Sequence, residues 1–147
     1  MRVLLQRVSE ASVSVDGDVI GKIGHGLLAF VGVTHGDTEK DVEYLAEKTA
    51  HLRIFEDDAG KMNLDVTASG SAVLVISQFT LYADCRKGRR PGFSEAGDPA
   101  EAEKLYLLYA EALRKYGIAT VEKGRFGADM KVRLENDGPA TFLLESR

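Results

Sequence analysis

Apolar and polar positions change their period several times along the chain, and each change marks an element. Residues 2–8 are mostly apolar. After them Ala11, Val13 and Val15 alternate with Ser12, Ser14 and Asp16, a period of two that predicts a half-buried strand. Asp16-Gly17 is a two-residue hairpin signal, with Val19–Ile23 as the returning strand. Gly24-His25-Gly26 ends it. Leu27–Val33 predicts a more deeply buried strand, whose Gly32 suits a bulge or a close backbone approach. The period then lengthens: Val42, Leu45, Ala46, Thr49 and Leu52 fall on one face of a helix, with Thr38 placed to cap it and Asp41 to close a capping box. His51 lies in its last turn, where a helix end favours positive charge, and is read as structural.

Arg53–Glu56 predicts a short strand and Asp57-Asp58-Ala59-Gly60 a turn. Ala72–Ile76 is β-rich and predicts a central strand. From Leu81 to Asp98 the periodicity fades, and at about 18 residues this segment is longer than most loops in compact domains, which points to a functional role. The clearest helix follows. Asp98 caps it, Pro99 suits its first position and Glu101 completes a capping box. Leu105, Leu108, Tyr109, Ala112, Leu113 and Tyr116 form its apolar stripe, and Gly117 its stop. Ile118–Glu122, Lys131–Glu135 and Thr141–Glu145 then predict strands. Roughly eight strands and two helices, with hairpin signals, favour an α+β fold: a mostly antiparallel, barrel-like sheet with two outer helices, in one domain spanning 1–147.

Composition bounds this picture. A hydrophobic share of 44% closes a core, and 29% charged residues suit a solvated surface. The longest apolar run, Leu27–Val33, falls far short of the roughly 20 residues of a membrane helix. Val3–Leu5 is too short for a secretory signal, so a cytoplasmic protein without membrane attachment is expected. The single cysteine, Cys85, excludes an internal disulfide. His25, His35 and His51 stand far apart and no Cys-x-x-Cys occurs, so no metal site and no cofactor is expected. The net charge of −4 argues against indiscriminate nucleic-acid binding. Locally, however, Arg86, Lys87, Arg89 and Arg90 crowd around Gly88, a cluster that either engages a phosphate backbone or simply faces solvent.

The chain lacks a Gly-x-Ser-x-Gly nucleophile elbow, a phosphate-binding loop and a dinucleotide fingerprint. Two segments carry candidate chemistry instead. Ser77-Gln78-Phe79-Thr80 follows a buried strand, where side chains and amides emerge at a rim. Thr80 is a weak nucleophile without a base, and none adjoins it in sequence; the amides of Gln78 and Phe79 are alternative holders of a carbonyl oxygen on which charge develops. The bland alternative is strand continuation that buries Phe79 and Leu81. Asn136-Asp137-Gly138-Pro139 is either a plain hairpin connection or a site where a cis bond aims backbone carbonyls at a substrate, close to a glycine that has no Cβ.

Together these segments resemble the signature of the D-aminoacyl-tRNA deacylases, and the resemblance runs from Met1 to Arg147. The family's Ser-Gln-Phe-Thr is matched at Ser77–Thr80. Its Asn-x-Gly-Pro-Val-Thr is matched at Asn136, Gly138, Pro139 and Thr141, with Ala140 where Val is usual. Its Lys-Gly-x-Arg-Pro-x-Phe is matched from Lys87 to Phe93, with Gly92 in place of the commoner Ser. Phe126-Gly127-Ala128-Asp129-Met130 resembles the segment before the family's last strand pair. The resemblance implies a deacylase-like fold and hydrolysis of the ester joining a D-amino acid, or glycine, to tRNA. Gln78, Phe79 and Thr80 are then catalytic, with Thr80 either attacking or only supporting the backbone. Ser77, Gly138 and Pro139 bind substrate, and Lys87, Arg89 and Arg90 bind RNA. It further implies a homodimer in which Gly138-Pro139 of one subunit reaches the partner's site, and a reaction assisted by the 2′-hydroxyl of the terminal adenosine in place of a cofactor.

Two rival classes follow from the residues alone. A non-catalytic RNA-binding barrel would use Arg86–Arg90, with only Tyr82 and Phe93 as flanking aromatics. A small-molecule esterase would use Thr80 or Cys85, with no base in view.

Overall fold

A computed structural model describes residues 1–147. The first strand, β1, is one unbroken run, Arg2–Val15, rather than two segments. Ser9 and Glu10, which interrupt the apolar pattern, are exposed where the strand changes neighbour. Residues 2–8 pair with β3 (Gly26–Gly32) and residues 11–15 with β2 (Asp18–Ile23). The β1–β2 turn is the expected one: Asp16 and Gly17 take φ of 51° and 83°, as a tight two-residue hairpin demands. The opposite edge of β1 pairs antiparallel with β8, a single 16-residue strand, Met130–Glu145. The two strands expected at 131–135 and 141–145 are thus one, and Asn136–Thr141 is not a hairpin connection.

Not every pairing is antiparallel. β6 (Ala72–Ser77) runs parallel to β3, and β7 (Val121–Lys123) parallel to β6. Both crossovers carry a helix, as parallel neighbours require: α1 (Glu39–His51) lies in the first and α2 (Pro99–Lys115) in the second. A two-stranded ribbon of β4 (Phe55–Glu56) and β5 (Met62–Leu64) precedes β6; Met62–Leu64 carried no strand signal. The sheet curls until β2 nears β7, where a Cβ on Gly21 would stand 2.9 Å from the Lys123 carbonyl oxygen. No ladder closes the gap.

The central strands read as continuous apolar runs because both their faces are covered. Val73 and Val75 of β6, with Leu27, Ala29 and Val31 of β3, point into a 25-residue core beneath the helices. Leu74, Ile76 and Leu28 point the other way, into a seven-residue core inside the curl with Val8, Ala11, Val13 and Ile23. Helix α1 carries the complete expected capping box between Thr38 and Asp41. Helix α2 has Asp98 accepting from the Ala100 amide at 3.0 Å, so the expected cap is present, while Glu101 makes no bond with it and the expected capping box does not form. The two helices are joined by a buried bond between Thr49 Oγ1 and Tyr109 Oη, 2.8 Å. His51 is structural as expected, 3.3 Å from Asp65 and edge-on to Tyr116.

Candidate active site

The sheet's apolar run ends at Ser77, and there the chain leaves the sheet. Gln78, at φ −147° and ψ 81°, turns it into a 3₁₀ helix, Phe79–Tyr82. Gly32 of β3 makes room for this turn: a Cβ there would stand 3.0 Å from Leu81 Cβ and 3.1 Å from the Gln78 oxygen. The strand therefore does not continue, and Phe79 is thrown outward, 57% exposed. Its ring meets Phe93 edge-on, centroids 5.1 Å apart.

This aromatic pair borders a cleft of about 670 Å³. Ser77, Gln78 and Phe79 form one wall, Phe93 and Gly97 the other, and Phe126 and Met130 also line it. Tyr106 reaches in from α2 and donates to the Val75 carbonyl at 3.2 Å. Burial pushes its phenol up to about 12. The only lining carboxylate, Asp129, pairs with Lys131 at 3.1 Å, with both side chains largely in solvent. No histidine lines the cleft.

The backbone supplies what the side chains do not, though not as the sequence suggested. The Gln78 amide already donates to the Val31 carbonyl at 2.7 Å, so it is committed to holding the turn. The first bond within the 3₁₀ turn runs from the Leu81 amide to the Gln78 oxygen, 3.2 Å. The amides of Phe79 and Thr80 precede it and have no partner within the turn. The Gln78 side-chain amide donates closely to Thr80 Oγ1. An amide NH₂ occupies that oxygen as a donor and takes no proton from it.

The basic cluster sits directly after this wall. Asp84 and Gly92 exchange backbone bonds of 2.8 and 2.9 Å, closing a lobe that carries Lys87, Arg89 and Arg90. All three are exposed. Arg86 differs: Asp84 accepts from its Nε and Nη2, each at 2.8 Å. The Arg86 guanidinium holds the Asp84 carboxyl well below the usual range. Cys85, beside this pair, is an exposed free thiol.

Gly138 and Pro139 are not in the cleft of their own chain. Asn136 pairs with Val8 and Thr141 with Gln6, so residues 137–140 bulge out opposite Arg7 alone. Ser77, by contrast, aligns through Val31 with Val3. Four residues of β1 separate the two levels, about 13 Å along the strand. The Gly138-Pro139 peptide is cis. Arg7, 5% exposed in a strand of apolar neighbours, pins the bulge. It donates to the Asp137 carbonyl at 2.9 Å and the Ile54 carbonyl at 2.6 Å, and lies 3.4 Å from the Asp137 carboxylate. Asn136 Nδ2 ties the bulge to the Arg7 and Ala140 carbonyls, both at 3.2 Å. Ala140 is buried there.

Of the residues singled out in the Ser77–Thr80 segment, Ser77, Gln78 and Phe79 line the cleft and Thr80 does not; the sequence did not single out Tyr106 or Arg7. A charged side chain at an inward position of β1 was the available signal for Arg7.

Comparison with known proteins fits this architecture. The family model described as D-Tyr-tRNA(Tyr) deacylase matches residues 4–145. A D-aminoacyl-tRNA deacylase of Brevibacillus brevis is 59% identical over 146 residues, 99% of this chain and 100% of that protein. One from Halalkalibacterium halodurans is 58% identical over 147 residues and the full length of both. Among solved structures, the c-Myc DNA Unwinding Element Binding Protein superposes with a TM-score of 0.94 at 40% identity, covering 100% of this chain and 99% of the other. A probable eukaryotic D-amino acid tRNA deacylase shares the fold, with a TM-score of 0.84 at 17% identity over 98% of each chain. With a family model spanning nearly every residue and full-length relatives well over half identical, the chain belongs to the D-Tyr-tRNA(Tyr) deacylase family, whose chemistry is ester hydrolysis.

Proposed function

We propose that this protein hydrolyses the ester between a D-amino acid, or glycine, and the terminal adenosine of tRNA, and spares L-aminoacyl-tRNA. The carrying observation is the Ser77–Thr80 turn: Ser77–Phe79 line an aromatic, mostly apolar cleft, and the Phe79 and Thr80 amides have no partner within the turn, in a chain of this family. The aromatic rings suit a nucleobase, since every base offers a face to stack on. The Phe79 and Thr80 amides suit the carbonyl oxygen of the ester, where negative charge develops as water adds. Ser77 and Gln78 shape the same wall. With no histidine in the lining and its one carboxylate, Asp129, paired with Lys131, the 2′-hydroxyl of the substrate's own adenosine is the group that activates water, and Thr80 supports the turn.

Gly138 and Pro139 lie away from the cleft of their own chain, which favours a homodimer in which they face the partner's cleft. Their carbonyls there accept from the substrate's α-ammonium and leave no room for an L side chain. Lys87, Arg89 and Arg90 hold the RNA. A nucleic-acid-binding protein without catalysis is the competing reading, favoured by the same exposed lobe.

Matched D- and L-tyrosyl-tRNA decide between them. Release of D-tyrosine at a rate far above that of L-tyrosine is expected. Equal rates refute stereospecific proofreading, and binding without release of either amino acid supports the non-catalytic reading.

A further inference from the structure

We propose that the lobe between Asp84 and Gly92 grips the phosphates of the unpaired 3′ end of the RNA, next to the esterified nucleoside, and not the duplex body. This rests on the deacylase reading above and assigns the lobe its place on the substrate.

The lobe is a fixed object rather than a loose tail. The paired backbone bonds between Asp84 and Gly92 close its base, and Gly88, at φ +66°, turns its tip. Its four cations are not equivalent. Arg86 is clamped by Asp84 through two guanidinium nitrogens and also feels Glu95, so its charge is already partnered by the protein. Lys87, Arg89 and Arg90 are exposed, and none takes part in an ion pair with the protein. Three exposed, unpaired cations thus stand beside one that is already paired.

The position of the lobe sets its reach. The residue after its base is Phe93, which meets Phe79 at the mouth of the cleft. Arg90 precedes Phe93 by three positions and Lys87 by six. Even a fully extended chain covers only about 3.3–3.6 Å per residue, so these backbones lie within roughly 10–20 Å of the mouth. Stacked nucleotides advance about 3.4 Å each along a strand. A nucleoside seated in the cleft against this aromatic pair therefore brings the last few phosphates of its own strand under the lobe. The recognition is electrostatic and independent of base identity, which suits a protein that meets the common end of many RNAs.

The test compares the wild type with a triple variant, Lys87→Gln with Arg89→Gln and Arg90→Gln. Three D-tyrosyl esters serve as substrates: full-length tRNA, a short single-stranded RNA ending in CCA, and adenosine alone. KM should rise equally on the two RNAs and stay unchanged on adenosine, with an unaltered thermal midpoint. Three single-strand contacts, each worth a slope of about 0.7, should make the wild-type KM on the short RNA climb about 20-fold more than the variant's between 50 and 200 mM salt. A loss confined to full-length tRNA would move the lobe to the duplex body and overturn the proposal. An equal loss on the adenosine ester would make the lobe a support of the cleft wall and overturn it too. Wild-type protein inert towards all three esters would instead refute the deacylase reading itself, and this proposal with it.

Discussion

Thr80 shows how one residue's surroundings restrict its chemistry. Its hydroxyl oxygen accepts from the Gln78 side-chain amide, and the cleft beside it holds neither histidine nor an unpaired carboxylate. A hydroxyl without a base is a poor nucleophile at neutral pH. Thr80→Ala should therefore retain measurable turnover, within about tenfold of the wild type, since its backbone amide stays in place. Loss of an attacking residue costs about 10⁶ in a hydrolase with an activated serine, and a collapse of that size would make Thr80 the nucleophile. Asp84 has the opposite character, ionised and fully engaged. A carboxyl held below its ordinary range favours the folded lobe above pH 3.8 and gives that up only as pH falls through its lower folded value.

Among the elements, the contact between β3 and the 3₁₀ turn matters most to the site. Gly32 is the hinge of that contact, because any Cβ would press on Leu81 Cβ at 3.0 Å and on the Gln78 oxygen at 3.1 Å. Gly32→Ala should cost about 1–3 kcal/mol by overpacking. It should also lower kcat/KM by tenfold or more, because small displacements of catalytic groups are expensive. Denaturant titration and steady-state kinetics check both, and wild-type values in each would show that the turn packs elsewhere. The sequence signalled this glycine as a place of close approach without saying what approaches. Local chemistry was readable in the same way at Asp16-Gly17 and at the Thr38–Asp41 capping box. What escaped was set by long-range pairing: residues 2–8 and 11–15 read as separate runs, yet β1 is continuous and β8 pairs on both sides of an irregularity at Ser9. Gly138-Pro139 read as a turn or a special bond, whereas the register makes it a bulge held by a buried arginine 130 residues away. The cleft draws on Val31, Phe93 and Met130 at once, and no local pattern relates residues so far apart.

At the scale of the whole molecule, four of the five tyrosines bear on its stability in alkali. Burial raises Tyr82 and Tyr106 to about 12. Burial also raises Tyr109, further still, and Tyr116. An acid whose pKa is higher in the folded state than in the unfolded chain favours folding below its unfolded value, here near 10. That contribution is lost as pH rises through the folded values. The urea midpoint should accordingly fall between pH 10 and about 12. Phenolate absorbance of the folded protein should lag behind that of the denatured chain over the same window. Simultaneous titration of the tyrosines near pH 10 in folded protein would contradict their burial.

The long ladder between β1 and β8 has a consequence in time. Gln6 and Thr141 are hydrogen-bonded neighbours 135 residues apart in the chain. A ribosome adds about 5–20 residues per second, so the first strand made waits roughly 7–30 s for its last partner to be made. Throughout that interval one whole edge of β1 is unpaired, and the bulge that Arg7 holds does not yet exist. Nascent chains halted short of β8 should therefore be the ones that recruit chaperones, whatever helices they have already formed.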